Sequence, residues 1–147
     1  MTDLIIKNDN FIDVNLKSRK EYNEFIKFNL KYADQIIFTV DYVSNQYEKL
    51  SVDVKNQVDL EIIDSGYVCA ASDMKGENSY LIEVKNNYNL YEYLINCENI
   101  FDFEEENDMR DMCFLKSGEV YCYTITHEKV CIISEEERII FEKQKKT

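Results

Sequence analysis

Three apolar runs near the C-terminal end constrain the fold more than any other feature of the chain. Met112–Lys116, Val120–Thr126 and Val130–Ile133 are rich in β-branched, aromatic and sulfur-containing residues. Ser117-Gly118 separates the first two, and His127-Glu128-Lys129 separates the last two. Such short connections allow only antiparallel neighbours, because a parallel return needs roughly a dozen residues or more. Residues 112–133 therefore read as a three-stranded meander.

The segments before it alternate between strand and helix patterns. Leu4-Ile5-Ile6 and the alternating Ile12, Val14, Leu16 read as two short strands around the turn-forming Asn8-Asp9-Asn10. Ser18-Arg19-Lys20-Glu21 is a capping box, followed by Tyr22, Phe25, Ile26 and Leu30 on one helical stripe. That spacing predicts a helix over 19–32. Residues 35–43 (QIIFTVDYV) read as a buried strand. Residues 44–66 fit two patterns. Val52, Val54, Val58, Leu60 and Ile62 alternate like strands, while Val54, Val58 and Ile62 repeat like a helix face ending before Gly66. A helix over about 52–64 is the expectation here, although the β-branched content opposes it. Tyr67–Met74 and Tyr80–Lys85 read as a hairpin about Lys75-Gly76-Glu77-Asn78. Asn87 or Asn89 can cap a short helix carrying Leu90, Leu94 and Cys97. A second capping box, Ser134 to Glu137, opens a C-terminal helix to about Lys145, with acids first and lysines last to suit the helix dipole.

These elements predict an α+β fold: a mostly antiparallel sheet with three to four helices packed on it. The chain has 147 residues, no internal repeat, no proline and no Ser/Gly/Pro-rich linker. One domain spanning 1–147 is expected.

Charge limits the partners. Seventeen Lys and Arg against 29 Asp and Glu leave −12. Nucleic-acid phosphates and anionic lipid surfaces repel such a chain, so no direct nucleic-acid or membrane partner is expected. No apolar run approaches the ~18 residues of a membrane span, and the N-terminal stretch lacks a cleavable signal pattern. Asn, Lys, Ile and Tyr supply 55 residues, against 9 for Ala, Gly, Arg and Pro. This is the codon signature of a low-GC genome, as in many bacteria and their phages.

Cysteines number five, at 69, 97, 113, 122 and 131, without a C-x-x-C pair. The odd count fits free thiols in a reducing cytoplasm, with Cys113, Cys122 and Cys131 as small core residues. No zinc-ligand spacing occurs, and no metal or cofactor is expected.

Catalytic patterns are equally scarce. His127 is the single histidine and sits in an expected turn, so no two-histidine zinc hydrolase site exists. Neither a phosphate loop nor a nucleophile elbow is present. The densest acidic feature is Asp102, Phe103, Glu104, Glu105, Glu106, Asp108 and Asp111. Residues 98–119 hold eight acids against Arg110 and Lys116, half of the chain's net charge. A calcium loop beginning at Asp102 fails, because Asn107 stands where Gly is needed and Cys113 where Glu is needed. Two readings stay open: a solvated loop, or an anionic patch whose Phe101, Phe103 and Met109 anchor a basic protein partner. Eleven tyrosines add interface-type residues.

The profile of a small, acidic chain without catalytic residues resembles that of immunity proteins against bacterial toxins. Phage-encoded inhibitors of host defence nucleases share it. The resemblance is one of profile and transfers no residues. It implies a non-catalytic binding protein that neutralises a toxin or nuclease by occluding a basic surface. The alternatives are a phage inhibitor acting as a phosphate mimic, and a small enzyme built on a Cys or carboxylate site.

Overall fold

The computed structural model describes residues 4–41, 60–65, 79–85, 87–106 and 110–145. Their order is β1 (Ile5–Ile6), β2 (Phe11–Asp13), α1 (Arg19–Tyr32), β3 (Gln35–Asp41), β4 (Leu60–Ser65), β5 (Ser79–Val84), α2 (Asn87–Leu94), α3 (Ile100–Glu106), β6 (Arg110–Lys116), β7 (Glu119–Ile125), a 3-10 turn (Thr126–Glu128), β8 (Val130–Ser134) and α4 (Glu135–Lys145). The fold is α+β, as the sequence pattern predicts. One eight-stranded sheet runs β2-β8-β7-β6-β3-β5-β4, with β1 beside β7. All pairings are antiparallel except β1 with β7.

The expected meander is present as β6-β7-β8. Its first turn places Ser117 and Gly118 at φ 52° and 81°, a left-handed pair that matches the twist of the flanking strands. Asp34 closes that corner, accepting from Ser117 N at 2.8 Å and pairing with Lys116 Nζ at 3.3 Å.

Alternation along the strands sorts the core into two faces. Ile36, Phe38, Ile82, Val84, Met112 and Phe114 face the helices. Ile37, Leu81, Cys113, Leu115 and Val120 form a second buried cluster on the other face. Against the first face lie Tyr22, Phe25 and Ile26 of α1, Leu90 and Leu94 of α2, Ile100 of α3 and Phe141 of α4. Phe25 and Phe141 meet edge to face at 5.5 Å.

The first capping box forms in full; the second forms through Ser134 Oγ, while the Glu137 carboxylate accepts from Ser134 Oγ, Lys7 Nζ and Tyr32 OH. Glu21 N donates to Ser18 Oγ at 3.1 Å, while the Glu21 carboxylate reaches back to Lys17 N at 2.9 Å. Glu137 N donates to Ser134 Oγ at 3.3 Å, and Glu136 N donates to Asp9 Oδ2 at 3.0 Å. The N-terminal turn thus supplies a second acceptor to the start of α4.

Three expectations are corrected. Residues 60–65 form a strand, not the end of a helix, because pairing Leu60 with Val84 and Glu61 with Glu83 satisfies the backbone of this β-branched segment. Residues 52–59, the strand over 67–74 and the 75–78 turn lie outside the described residues. The acidic stretch, for which a solvated loop is one of two readings, contains a helix, α3, started by Asn99 Oδ1 accepting from Asp102 N at 2.9 Å. Cys113 is disulfide-bonded, so the expectation of five free thiols fails there. Among the described residues Cys97, Cys122 and Cys131 are thiols outside any disulfide.

Candidate functional site

The acidic segment separates into parts with opposite environments. Glu98 is exposed, and Asp102 and Glu119 are half-buried. The side chains of Phe103, Glu105 and Glu106, and the whole of Asp108, lie outside the described set. Glu104 and Asp111, expected on the docking surface, turn inward instead. Glu104 is 0% exposed and Asp111 9%. Neither can offer its charge to a partner from this position.

The inward turn has a local cause. The helical period places Glu104 one turn after Ile100, whose side chain is buried in the core. The carboxylate therefore meets the sheet at Thr124, Thr126 and Met112. Its Oε2 accepts from Thr124 Oγ1 at 2.6 Å, from Thr126 Oγ1 at 3.0 Å and from Met112 N at 3.1 Å. Each threonine oxygen is itself an acceptor for β6, from Met112 N at 2.9 Å and from Asp111 N at 2.7 Å. Their hydroxyl protons are thereby aimed at Glu104.

Asp111 closes the cluster. Its Oδ1 accepts from Thr126 N at 3.1 Å, and its backbone sits at φ 54°. A left-handed non-glycine residue inside a strand is strained, and the paired bonds to Thr126 hold it there. Glu104 Oε1 is enclosed without a hydrogen-bond partner among the described residues. Burial pushes the carboxyl up to about 7; bonds from Thr124, Met112 and Thr126 pull it down, and the charge of Asp111 pushes it further up. Such a carboxyl exchanges its proton near neutrality, a property shared by functional sites and by strained structural ones.

The other sequence candidates have separate places. The His127 side chain is 80% exposed in the 3-10 turn, 4.0 Å from Glu128. Cys122 and Cys131 face each other at 3.8 Å inside the core, and burial pushes the Cys122 thiol well up, away from a nucleophilic thiolate. Cys69 lies outside the described residues. Tyr22 and Tyr121 are buried and hydrogen-bonded, to Leu94 O and Asn29 Oδ1, so neither is an interface residue. Tyr32 donates to Glu137 Oε2 at 2.7 Å, and burial, with that bond, pushes it up to about 12.

Grooves lie elsewhere. One of about 230 Å³ runs between residues 12–16 and α4, lined by Val14, Phe25, Arg138 and Phe141. Another of about 440 Å³ lies at the start of α1, lined by Ser18, Arg19, Tyr22 and Glu98. Glu104 and His127 line neither. Among the described residues no three His, Cys, Asp or Glu side chains converge as a metal site, and no helix is long and apolar enough to cross a membrane. No protein-family model, curated protein or solved structure matches the chain.

Sequence reasoning missed the Thr124–Thr126–Glu104 cluster. One signal was present: Asn99 three residues before Asp102 is a helix start, and a helix there puts Glu104 on the same side as Ile100.

Proposed function

We propose that this chain is a non-catalytic acidic binding protein that neutralises a toxin or nuclease domain by covering its basic active-site surface. The observation that supports this reading is the net charge of −12, all of it carried by residues 41–147. Among the described residues, Glu61, Glu92, Glu98, Glu128, Glu135 and Glu136 are exposed. The proposed docking segment is Asp102, Phe103, Glu105, Glu106 and Asp108, with Glu104 and Asp111 removed because they are buried. An acidic inhibitor occupies the surface that a basic nuclease presents to its polyanionic substrate, and the opposite charges speed the encounter.

The reading places the chain with its target in the cytoplasm. A reducing cytoplasm would open the disulfide at Cys113, so the reading requires the fold to hold without that bond. A thiol count on protein taken directly from native cytoplasm checks that point.

The decisive experiment identifies a partner by co-purification from the native host and then measures association kinetics against salt. Raising salt from ~50 to ~500 mM shortens the Debye length from ~14 to ~4 Å. Association is expected to slow by at least about tenfold, with dissociation nearly constant. Replacing Glu105, Glu106 and Asp108 by Ser is expected to slow association in the same way. A partner that binds this triple variant at the wild-type rate in low salt refutes the docking segment. A purified chain that leaves its partner's activity intact refutes neutralisation.

A further inference from the structure

The Glu104 cluster joins two features that no structural role requires together. Three donors converge on one carboxylate oxygen, and the other oxygen is enclosed with no partner among the described residues. A structural carboxylate in a dry interior is satisfied on both oxygens. Here Oε1 is bare when the group is ionised, an arrangement that low dielectric makes unfavourable. Gaining a proton removes that charge and leaves all three bonds to Oε2 in place. The uncharged form therefore fits the site better than the ionised one.

We propose that Glu104 is a proton-operated latch: protonated, it seats α3 against β6 and β7, and ionised, it loosens that seating. It stands on the cluster's geometry and requires no partner.

The charge of Asp111 favours the same direction. Asp111 of β6 lies across Thr126 and opposes a second negative charge. Arg110 of the same strand points its Nε to Thr39 Oγ1 at 3.4 Å. From the 3-10 turn, His127 and Glu128 are both exposed. Tyr22 of α1 and Asp102 of α3 complete the set on the neighbouring elements described, and Tyr22 donates its own proton to Leu94 O.

The sign follows from the direction of the shift. The seated carboxyl titrates near 7, and 4.5 is its ordinary value when released. Seating is therefore strongest below about 4.5 and is lost as pH rises through about 7. Linkage between these two values raises the unseated fraction about tenfold from pH 6 to pH 8.

Hydrogen exchange tests this, with protection factors corrected for the intrinsic pH dependence of exchange. In wild type, the α3 amides and Met112 N–H are expected to lose about tenfold in protection between pH 6 and pH 8. Glu104→Gln keeps the shape without the charge and is expected to hold its protection constant over that range. His127→Gln, a control at the exposed side chain of the 3-10 turn, is expected to behave as wild type, because the effect belongs to Glu104. Carbon-13 labelling of the wild-type glutamates keeps the test open if E104Q fails to fold, with one carboxyl expected to titrate near pH 7. Constant wild-type protection, a pH-dependent E104Q, loss of the effect in H127Q, or no glutamate titrating above pH 6 would each overturn the latch. So would restoration of protection at pH 8 by millimolar calcium or magnesium, which would make the cluster a cation site.

Discussion

Removing Lys7 tests how the two ends of the chain are held together. Lys7 Nζ lies 2.6 Å from Glu137 Oε1 and 2.7 Å from Glu136 Oε2, joining the segment after β1 to the first turn of α4. The two carboxylates differ in value. Glu136 is 65% exposed, and an exposed pair is worth about 0–1 kcal/mol. Glu137 is 3% exposed. Breaking a buried pair costs about 3–5 kcal/mol, because the remaining charge is stranded. Tyr32 and Ser134 still hydrogen-bond Glu137, and Lys7 keeps some solvent contact, so the cost falls to the bottom of that range or just below it. Lys7→Met is expected to cost about 2–3 kcal/mol, a fall in Tm of about 6–10 °C for a chain of this size. Burial pushes the Glu137 carboxyl up, but the bonds from Lys7, Ser134 and Tyr32 outweigh it and hold the group below its ordinary value. Its contribution is therefore present above the unfolded carboxylate range and is lost as pH falls through the lowered value. Denaturant melts of wild type and K7M at pH 7 and pH 3 are the assay, with the difference largest at pH 7. K7M/E137Q is expected to recover at least half of the loss, since the stranded charge is gone. A K7M cost under about 0.5 kcal/mol, or a double variant no more stable than K7M, would refute a buried ion pair between the termini.

Tyr121→Phe removes the hydroxyl that donates to Asn29 Oδ1 at 2.7 Å, where both residues are 0% exposed. Leaving that oxygen unpaired is expected to cost about 1–2 kcal/mol in urea melts, and an unchanged midpoint would show that Asn29 finds another donor. Reduction of the disulfide at Cys113 is expected to lower stability by about 2–4 kcal/mol, read as a fall in Tm with dithiothreitol. Native thiol labelling is expected to mark half-buried Cys97 well before buried Cys122 and Cys131.

Much of the fold was legible because local and tertiary signals agreed. At α1, Ser18 and Glu21 fix the start while Tyr22, Phe25, Ile26 and Leu30 fix the buried stripe. In the meander, two short connections make β6, β7 and β8 antiparallel neighbours, and the only glycine among the described residues, Gly118, sits where φ is positive. At β4 the signals disagreed. Val54, Val58 and Ile62 fit a helix face as well as strands, and only a partner strand decides. That partner, β5, begins 14 residues beyond the end of β4, and no local pattern in 60–65 specifies it.

Glu104 was illegible for a different reason. It stands in a run of three glutamates within the most acidic part of the chain, and composition treats the three alike. Helical phase distinguishes them, by placing Glu104 in line with Ile100. What receives the carboxylate is a pair of threonines 20 and 22 positions later, Thr124 near the end of β7 and Thr126 at the start of the 3-10 turn. Thr124 and Thr126 are ordinary strand residues in sequence. They become a carboxylate site only because their lone pairs are taken by β6 amides, which turns both hydroxyl protons toward α3. The same displacement applies to the charge. Eight acids over residues 98–119 look like one patch in sequence, yet two of them lie inside the protein. A docking surface in this region must therefore be assembled from the remaining acids, and burial divides the segment where charge counting cannot.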